Sequence, residues 1–340
     1  MRKKIAILLF SVFAAGVLVI SSDKPAPQIP QIRIEGMVKQ PLTLTMDKLM
    51  KMQSVPARQN EFSLDKDYHG AFNYTGVPLR SLLDLAVIHK PDTANYNKLS
   101  DLVIVVMNNE GKKAFLSWGE IFYRNPSEVI LAFNYDPIFP HKSCEGCHDP
   151  ETYGVWLNPL KRKVGLPKLV VTGDRFDGRC LENVSNIEVV DLRPDIKCVK
   201  KKPLFSEKFS LTGAVKTPGE FATLASYRHF ETLSMQVGDG RGYHGWKVFD
   251  GVPLVDILKD AGIAPDPGSV LMISAPDGYR SSVSCGELFL NPQGKNIIIA
   301  DGVDGTPLKK DGKFAAVFPD DLSADRCVKA VEKIEVINVK

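Results

Sequence analysis

The residues Cys144-Glu145-Gly146-Cys147-His148 are where this 340-residue sequence most plainly offers chemistry. Two thiols at C-x-x-C spacing with histidine next in line form the pattern by which a haem is attached covalently. Each thiol adds to one vinyl group, and the imidazole is held under the iron as an axial ligand. The pattern predicts one haem c on Cys144 and Cys147, with His148 on the iron. A thioredoxin-type disulfide wants its C-x-x-C at a strand-to-helix junction in a βαβ pattern, which the flanking sequence lacks. A zinc site needs two more ligands nearby, and only His141 is close. The sixth iron position stays open between His141, a Met or His from elsewhere such as His69, and no protein ligand. Axial identity sets the potential, so no potential is predicted.

The N-terminus bears on where such a haem would work. Arg2, Lys3 and Lys4 precede an apolar run from Ile5 to Ile20, and Ser21, Ser22 and Asp23 follow. A basic start and a short apolar segment form an export signal over residues 1–22. The run is short for a full span and no A-x-A cleavage pattern follows it, so a cleaved signal peptide and an uncleaved anchor both stand. A Pro-rich tether (Pro25, Pro27, Pro30) covers 23–31. The expected location is the periplasm or the outer face of the inner membrane, with membrane contact only through such an anchor. The six cysteines then lie in an oxidising compartment. Of the single ones, Cys180–Cys198 and Cys285–Cys327 are the pairings that keep each bridge within one neighbourhood. A net charge of +3 without a basic stripe gives no reason to expect nucleic acid. At 44% hydrophobic and 24% charged, the chain has apolar material for a core in each half.

Self-similarity organises the rest. Gly36-Met-Val-Lys-Gln-Pro41 matches Gly213-Ala-Val-Lys-Thr-Pro218, and Tyr68-His69-Gly70 matches Tyr243-His244-Gly245. Gly76-Val-Pro-Leu79 matches Gly251-Val-Pro-Leu254. Gly111, Ser117, Gly119 and Glu120 answer to Gly278, Ser284, Gly286 and Glu287, and Arg179-Cys180 answers to Arg326-Cys327. The matches keep their order while the offset changes at few places, as loop insertions in a duplicated domain would produce. The first copy carries about twenty extra residues, a length loops accommodate at little entropic cost. They surround the haem motif, over about 140–166. The expected organisation is domain 1 over 32–193, a linker over 194–206 and domain 2 over 207–340. The lysines of the stretch Pro194 to Pro203 are expected to be solvated.

Within each copy, Ile32, Ile34, Leu42 and Leu44 alternate with polar residues as half-buried strands do. Leu79, Leu82, Leu83 and Ala86 have helical spacing, with Pro78 suited to the first turn. Leu102 to Met107 and Val270 to Ser274 read as buried strands, each followed by a hairpin turn. Ile187 to Val190 and Ile334 to Ile337 are closing strands. Strands with a few interspersed helices predict an α+β fold.

Four blocks make each copy resemble the molybdopterin-binding domain of the sulfite-oxidase family. They are the Gly-x-Val-x-x-Pro opening, Gly-Val-Pro-Leu-x-x-Leu-Leu, Asp277-Gly278-Tyr279 with Glu287-Leu288, and Leu166-Pro-Lys-Leu-Val-Val-Thr-Gly-Asp174. The resemblance implies two tandem copies of a mixed fold and a molybdenum–pterin cofactor in an oxidoreductase. It implies a cofactor-contacting end near Arg326 and Lys329, where copy one has Glu182. A lysine suits an anionic phosphate and a glutamate does not. His69 and His244 are candidates to touch a cofactor in each cleft, the alternative being turn histidines bonded to backbone. The family holds molybdenum through a cysteine shortly before Gly-Val-Pro-Leu. Neither Ser54–Tyr74 nor Ser226–Phe249 contains one, so catalytic residues stay unassigned and enzymatic activity is left open. Two readings follow. One is an exported, molybdopterin-dependent redox protein whose haem passes electrons to a periplasmic cytochrome or quinone-linked membrane protein. The other is a non-catalytic haem-bearing carrier or scaffold whose pterin fold has lost its metal.

Overall fold

Alternating apolar residues in the sequence become strands with one buried face, and the computed structural model arranges them as four sheets. It describes residues 31–139, 150–199, 201–238, 242–265 and 267–339. The leader and most of the tether (1–30), and the motif with His141, Cys144, Cys147 and His148, lie outside the described residues.

In the N-terminal half the strands begin with β1 (Gln31–Gly36), β2 (Leu42–Thr45), β3 (Val55–Phe62), β4 (Tyr68–Pro78) and β5 (Leu102–Asn108). They continue with β6 (Lys113–Ser117), β7 (Val129–Pro137), β8 (Lys168–Val171) and β9 (Val184–Asp191). One sheet runs β2-β1-β9-β5-β6 and the other β3-β4-β7-β8.

The C-terminal half opens with β10 (Phe209–Gly213), β11 (Gly219–Phe221), β12 (Phe230–Val237), β13 (Tyr243–Pro253) and β14 (Ser269–Ser274). There follow β15 (Arg280–Ser284), β16 (Ile298–Val303), β17 (Thr306–Pro307), β18 (Ala315–Val317), β19 (Val328–Lys329) and β20 (Lys333–Asn338). Its sheets run β11-β10-β20-β14-β15 and β12-β13-β16-β18-β19, with β17 beside β16. The order repeats that of the first half. Even the one parallel pairing recurs, β1 with β9 and β10 with β20.

The helices are α1 (Met46–Met50), α2 (Leu79–Ala86), α3 (Trp118–Phe122), α4 (Pro150–Leu157), α5 (Leu254–Asp260) and α6 (Cys285–Phe289). Among the described residues none is long and apolar enough to cross a membrane. The fold is strand-rich α+β. Leu79, Leu82, Leu83 and Ala86 of α2 are buried, as their spacing predicts. Pro78 stands one position earlier than expected, as the N-cap, and Val87 in the left-handed region ends the helix. The core of the first half takes Ile32 and Ile34 from β1, Ile104 from β5, Leu131 from β7 and Leu169 from β8, together with α2. Phe209, Leu211, Leu254, Ile273 and Ile299 build its counterpart.

Gln31–Lys340 form one compact unit. The edge strands β6 and β15 face each other, and Ser282 N–H donates to Ser100 O at 2.9 Å. Val103, Val105 and Phe115 share an apolar cluster with Val270 of the other half. The connector is pinned: Cys198 N–H donates to Asn95 O, Val199 N–H to Asp277 O, and Arg280 donates to the carbonyls of Arg193 and Ile196. Its lysines Lys197, Lys201 and Lys202 are exposed, as expected of a solvated stretch.

Candidate functional site

Each half carries a cleft where its long hairpin meets the turn before its closing strand. The N-terminal cleft, about 470 Å³, is lined by Glu61, His69, Arg162, Lys168, Asp177, Cys180 and Glu182 among others. Its charges answer one another. Buried Glu61 accepts from Tyr74 Oη at 2.5 Å, from Lys168 Nζ at 2.5 Å, and from Arg162 Nη2. Arg162 Nη1 reaches Glu182 at 2.6 Å, and His69 Nδ1 lies 2.6 Å from Asp177 Oδ2. Burial and then Glu61 push the Tyr74 hydroxyl well above its usual range. Burial raises the Glu182 carboxyl, but the Gly165 N–H, Arg162 and Lys168 outweigh it and hold the group low, so it stays charged.

The C-terminal cleft, about 510 Å³, is lined by Gln236, His244, Lys247, Asp277, Tyr279, Asp325, Cys327 and Lys329 among others. Counting along the hairpins from Gly76 and Gly251, Gln236 stands where Glu61 does and Lys247 where Phe72 does. Lys329 stands where Glu182 does. The Lys329 side chain is 68% exposed, and its nearest carboxylate, Asp311, is 3.8 Å away. His244 Nε2 lies 3.2 Å from Gly238 O. Burial pushes the Cys327 thiol up to about 11, and the Cys180 thiol in the other cleft up to about 12.

Between the halves lies a buried ionic cluster. Arg179 donates to Asp174 at 2.7 and 2.8 Å, to Glu120 at 2.9 and 3.0 Å, and across to Ser284 Oγ at 3.0 Å. Arg326 repeats this with Asp321 at 2.6 and 2.8 Å, Glu287 at 2.7 and 3.0 Å, and Ser117 Oγ at 3.0 Å. Ser117 and Ser284 also cap α3 and α6. A Cβ on Gly119 would lie 2.3 Å from Arg326 Cδ, and one on Gly286 2.3 Å from Arg179 Cδ. Both arginines are fully buried and tied down, so only glycine fits beneath them. Arg124 adds a cation on one side only, 3.1 Å from Glu287 and 3.7 Å from Asp321. Asn291 occupies its position in the second half.

The structure thus brings His69 to one cleft, and His244 and Lys329 to the other. Arg326, grouped with Lys329 by the sequence, lines neither cleft. Its guanidinium needs two carboxylates to be buried at all. His69 is bonded to a carboxylate and His244 to a backbone carbonyl. Cys180 and Cys327 carry free thiols, so neither expected disulfide forms. Cys180 lines the first cleft and Cys327 the second. Sequence reasoning missed Glu61, Arg162 and Lys168 as one unit, and the ionic role of Asp174 and Asp321. A signal for the last pair was present: each lies five residues before its arginine.

No protein-family model and no curated protein matches the sequence. Among solved structures a neighbour is the crystal structure of the sulfane dehydrogenase SoxCD from Paracoccus pantotrophus. The match covers 92% of this chain and 78% of that one, at 13% identity and a TM-score of 0.34. A TM-score of that size does not establish a common fold, so the architecture rests on this chain's own strand order.

Proposed function

We propose that the chain is an exported redox protein of two tandem, sulfite-oxidase-like domains. Its second domain takes the anionic end of a pterin-type cofactor, and its haem c passes electrons to a periplasmic partner. Duplication accounts for the repeated strand order and the reciprocal arginines. The cleft assignment rests on one observation: Gln236 and Lys329 stand where Glu61 and Glu182 neutralise the cations of the first cleft. A phosphate entering the first cleft would meet two carboxylates already saturated by Arg162 and Lys168. In the second it would meet Lys247 and Lys329, which can donate to it as point charges.

The metal fits less well than the phosphate. Among the described residues Cys327 is the one sulfur lining the second cleft, and burial keeps its thiol protonated. A soft metal takes a thiolate, so no step through molybdenum is assigned. That thiol favours the second reading, in which the cleft binds but does not oxidise and the haem alone carries electrons. When bound, the haem would supply one-electron transfer, held by Cys144, Cys147 and His148.

The test is an iron and molybdenum count per chain, on protein exported by a host that matures c-type haem and pterin. Iron near one with molybdenum near one supports an oxidoreductase. Iron near one without molybdenum selects the carrier. The haem assignment fails if the Cys144→Ala, Cys147→Ala double variant still gives a haem-stained band on a denaturing gel.

A further inference from the structure

On the C-terminal half, away from the second cleft's lining, three side chains converge from three elements. His229 lies in the turn entering β12, Asp250 on β13 and Asp301 on β16. One donor atom from each falls within 4.8 Å of the others, and all three residues are half-buried. The pairing of β13 with β16 skips Asp301: Asp250 faces Gly302 and Gly251 faces Ala300. A bulge of this kind re-aims a side chain, here the Asp301 carboxylate.

His229 Nε2 is 3.2 Å from Asp301 Oδ1 and 3.1 Å from Oδ2, while Nδ1 is 3.2 Å from the Tyr227 carbonyl. An Nδ1–H donated to a backbone carbonyl leaves the Nε2 lone pair facing the carboxylates, the arrangement that orients metal-ligating histidines. Ligand atoms about 2.0–2.2 Å from a tetrahedral ion lie roughly 3.3–3.6 Å from each other. His229 Nε2 stands 3.1 and 3.2 Å from the Asp301 carboxylate oxygens, and an Asp250 oxygen falls within 4.8 Å of both groups.

The first half shows that the fold does not need these residues. It has the same bulge, with Thr75 facing Asn134 and Gly76 facing Ala132, but Phe133 occupies the bulged position. Thr75 stands at the place of Asp250, and Ser54 at that of His229. The second half therefore carries a histidine and two carboxylates on a backbone that packs without them in the first.

We infer that His229, Asp250 and Asp301 bind one divalent first-row transition ion, of the Zn²⁺ type. One imidazole suits such ions better than Mg²⁺ or Ca²⁺, and two carboxylates balance a 2+ charge. Three protein ligands leave a position for water. None of the three residues is among those assigned to either cofactor of the proposed function. Its structural effect is to fasten the turn before β12 to the β13–β16 pair.

The alternative is an imidazolium–carboxylate pair between His229 and Asp301, to which Asp250 adds only the weakest, through-space pull. Asp250→Asn separates the two. Zn²⁺ is titrated calorimetrically into haem-loaded, chelator-stripped full-length protein, so that the haem motif's thiols are occupied. Wild type takes up one more equivalent than Asp250→Asn, or holds that equivalent at least about tenfold more tightly. Zn²⁺ raises Tm for wild type only. Asp250→Thr, which installs the residue type the first half carries there, gives the same loss if the asparagine variant folds poorly. Equal Zn²⁺ uptake and equal Tm shifts in wild type and both variants overturn the site.

Discussion

Glu120 and Glu287 occupy the same place in the two halves, each on the first turn of a short helix and each gripping a fully buried arginine. Their carboxyls nevertheless differ. Burial pushes Glu120 up, Arg179 pulls it back, Glu287 and Asp174 push again, and it settles at about 7. Burial also raises Glu287, but Arg326 and Arg124 together outweigh that and hold it down at about 2. The cluster has three arginines (124, 179 and 326) and four carboxylates (Glu120, Glu287, Asp174 and Asp321). The carboxylates outnumber the arginines by one, and burial with the lack of an Arg124 counterpart biases proton uptake toward Glu120. A symmetric scaffold is thus made asymmetric by one exchange, Arg124 for Asn291. The two clefts teach the same lesson. Similar strand geometry carries a saturated ion network in one half and an exposed, loosely paired lysine in the other.

The largest effect is expected from removing the charge of Glu287. Glu287→Gln leaves Arg326 and Arg124 under-compensated in a buried place and is expected to cost about 3–5 kcal/mol of stability. Glu120→Gln removes a group that gives up its charge readily and should cost roughly 1–2 kcal/mol. Urea midpoints at pH 7 compare the two, and equal losses would show that Arg124 does not distinguish the halves.

The same asymmetry sets the pH dependence. Glu120 has a folded value above its unfolded one, so its contribution is whole below about pH 4.5 and fades as pH rises through about 7. Asp101, fully buried beside Lys90 and Arg280, acts in the same sense: burial raises it to about 6 against the pull of Lys90. Glu287 acts in the opposite sense, losing its contribution only as pH falls toward 2. Unfolding free energy measured from pH 4.5 to 8 should carry a falling component of at most about 1.4 kcal/mol per pH unit for each raised group. Glu120→Gln should flatten it, and an unchanged slope would contradict the assignment of the proton.

The smallest effect belongs to the exposed Lys329. Lys329→Glu gives the second cleft the glutamate of the first and should weaken binding of inorganic pyrophosphate about tenfold, equivalent to about 1.4 kcal/mol. Glu182→Gln should change it less than twofold. Isothermal titration on both variants sharpens the contrast between clefts, and equal affinities would remove it.

Much of the scaffold was legible in the sequence because alternation and helical spacing are local. The strands around Ile32, Leu102, Val270 and Ile334, and the helix from Leu79, stand where their patterns put them. Ser117, Gly119 and Glu120 could be matched with Ser284, Gly286 and Glu287. That match says only that two environments are alike, and nothing in it says that they touch. Arg326 misled because a basic residue near a cofactor-type motif and a basic residue buried against two carboxylates look the same in one dimension. The Glu61–Arg162–Lys168 network joins a hairpin, the insertion and a strand far along the chain. No local period encodes such a meeting. The connector's composition signalled exposure, which its lysines have, while its backbone found partners in both halves.

The arginines lying over Gly286 and Gly119 make an isologous contact, the form two identical chains adopt about a two-fold axis. Residue meets counterpart in both directions, as in a homodimer, yet here one polypeptide supplies both sides. Carrying both sides on one chain changes what selection can do with such an interface. In a dimer every substitution appears twice, so an arginine at position 124 would force its mirror image and overcharge the centre. In a single chain it arrives once, and each half is free to take on separate work.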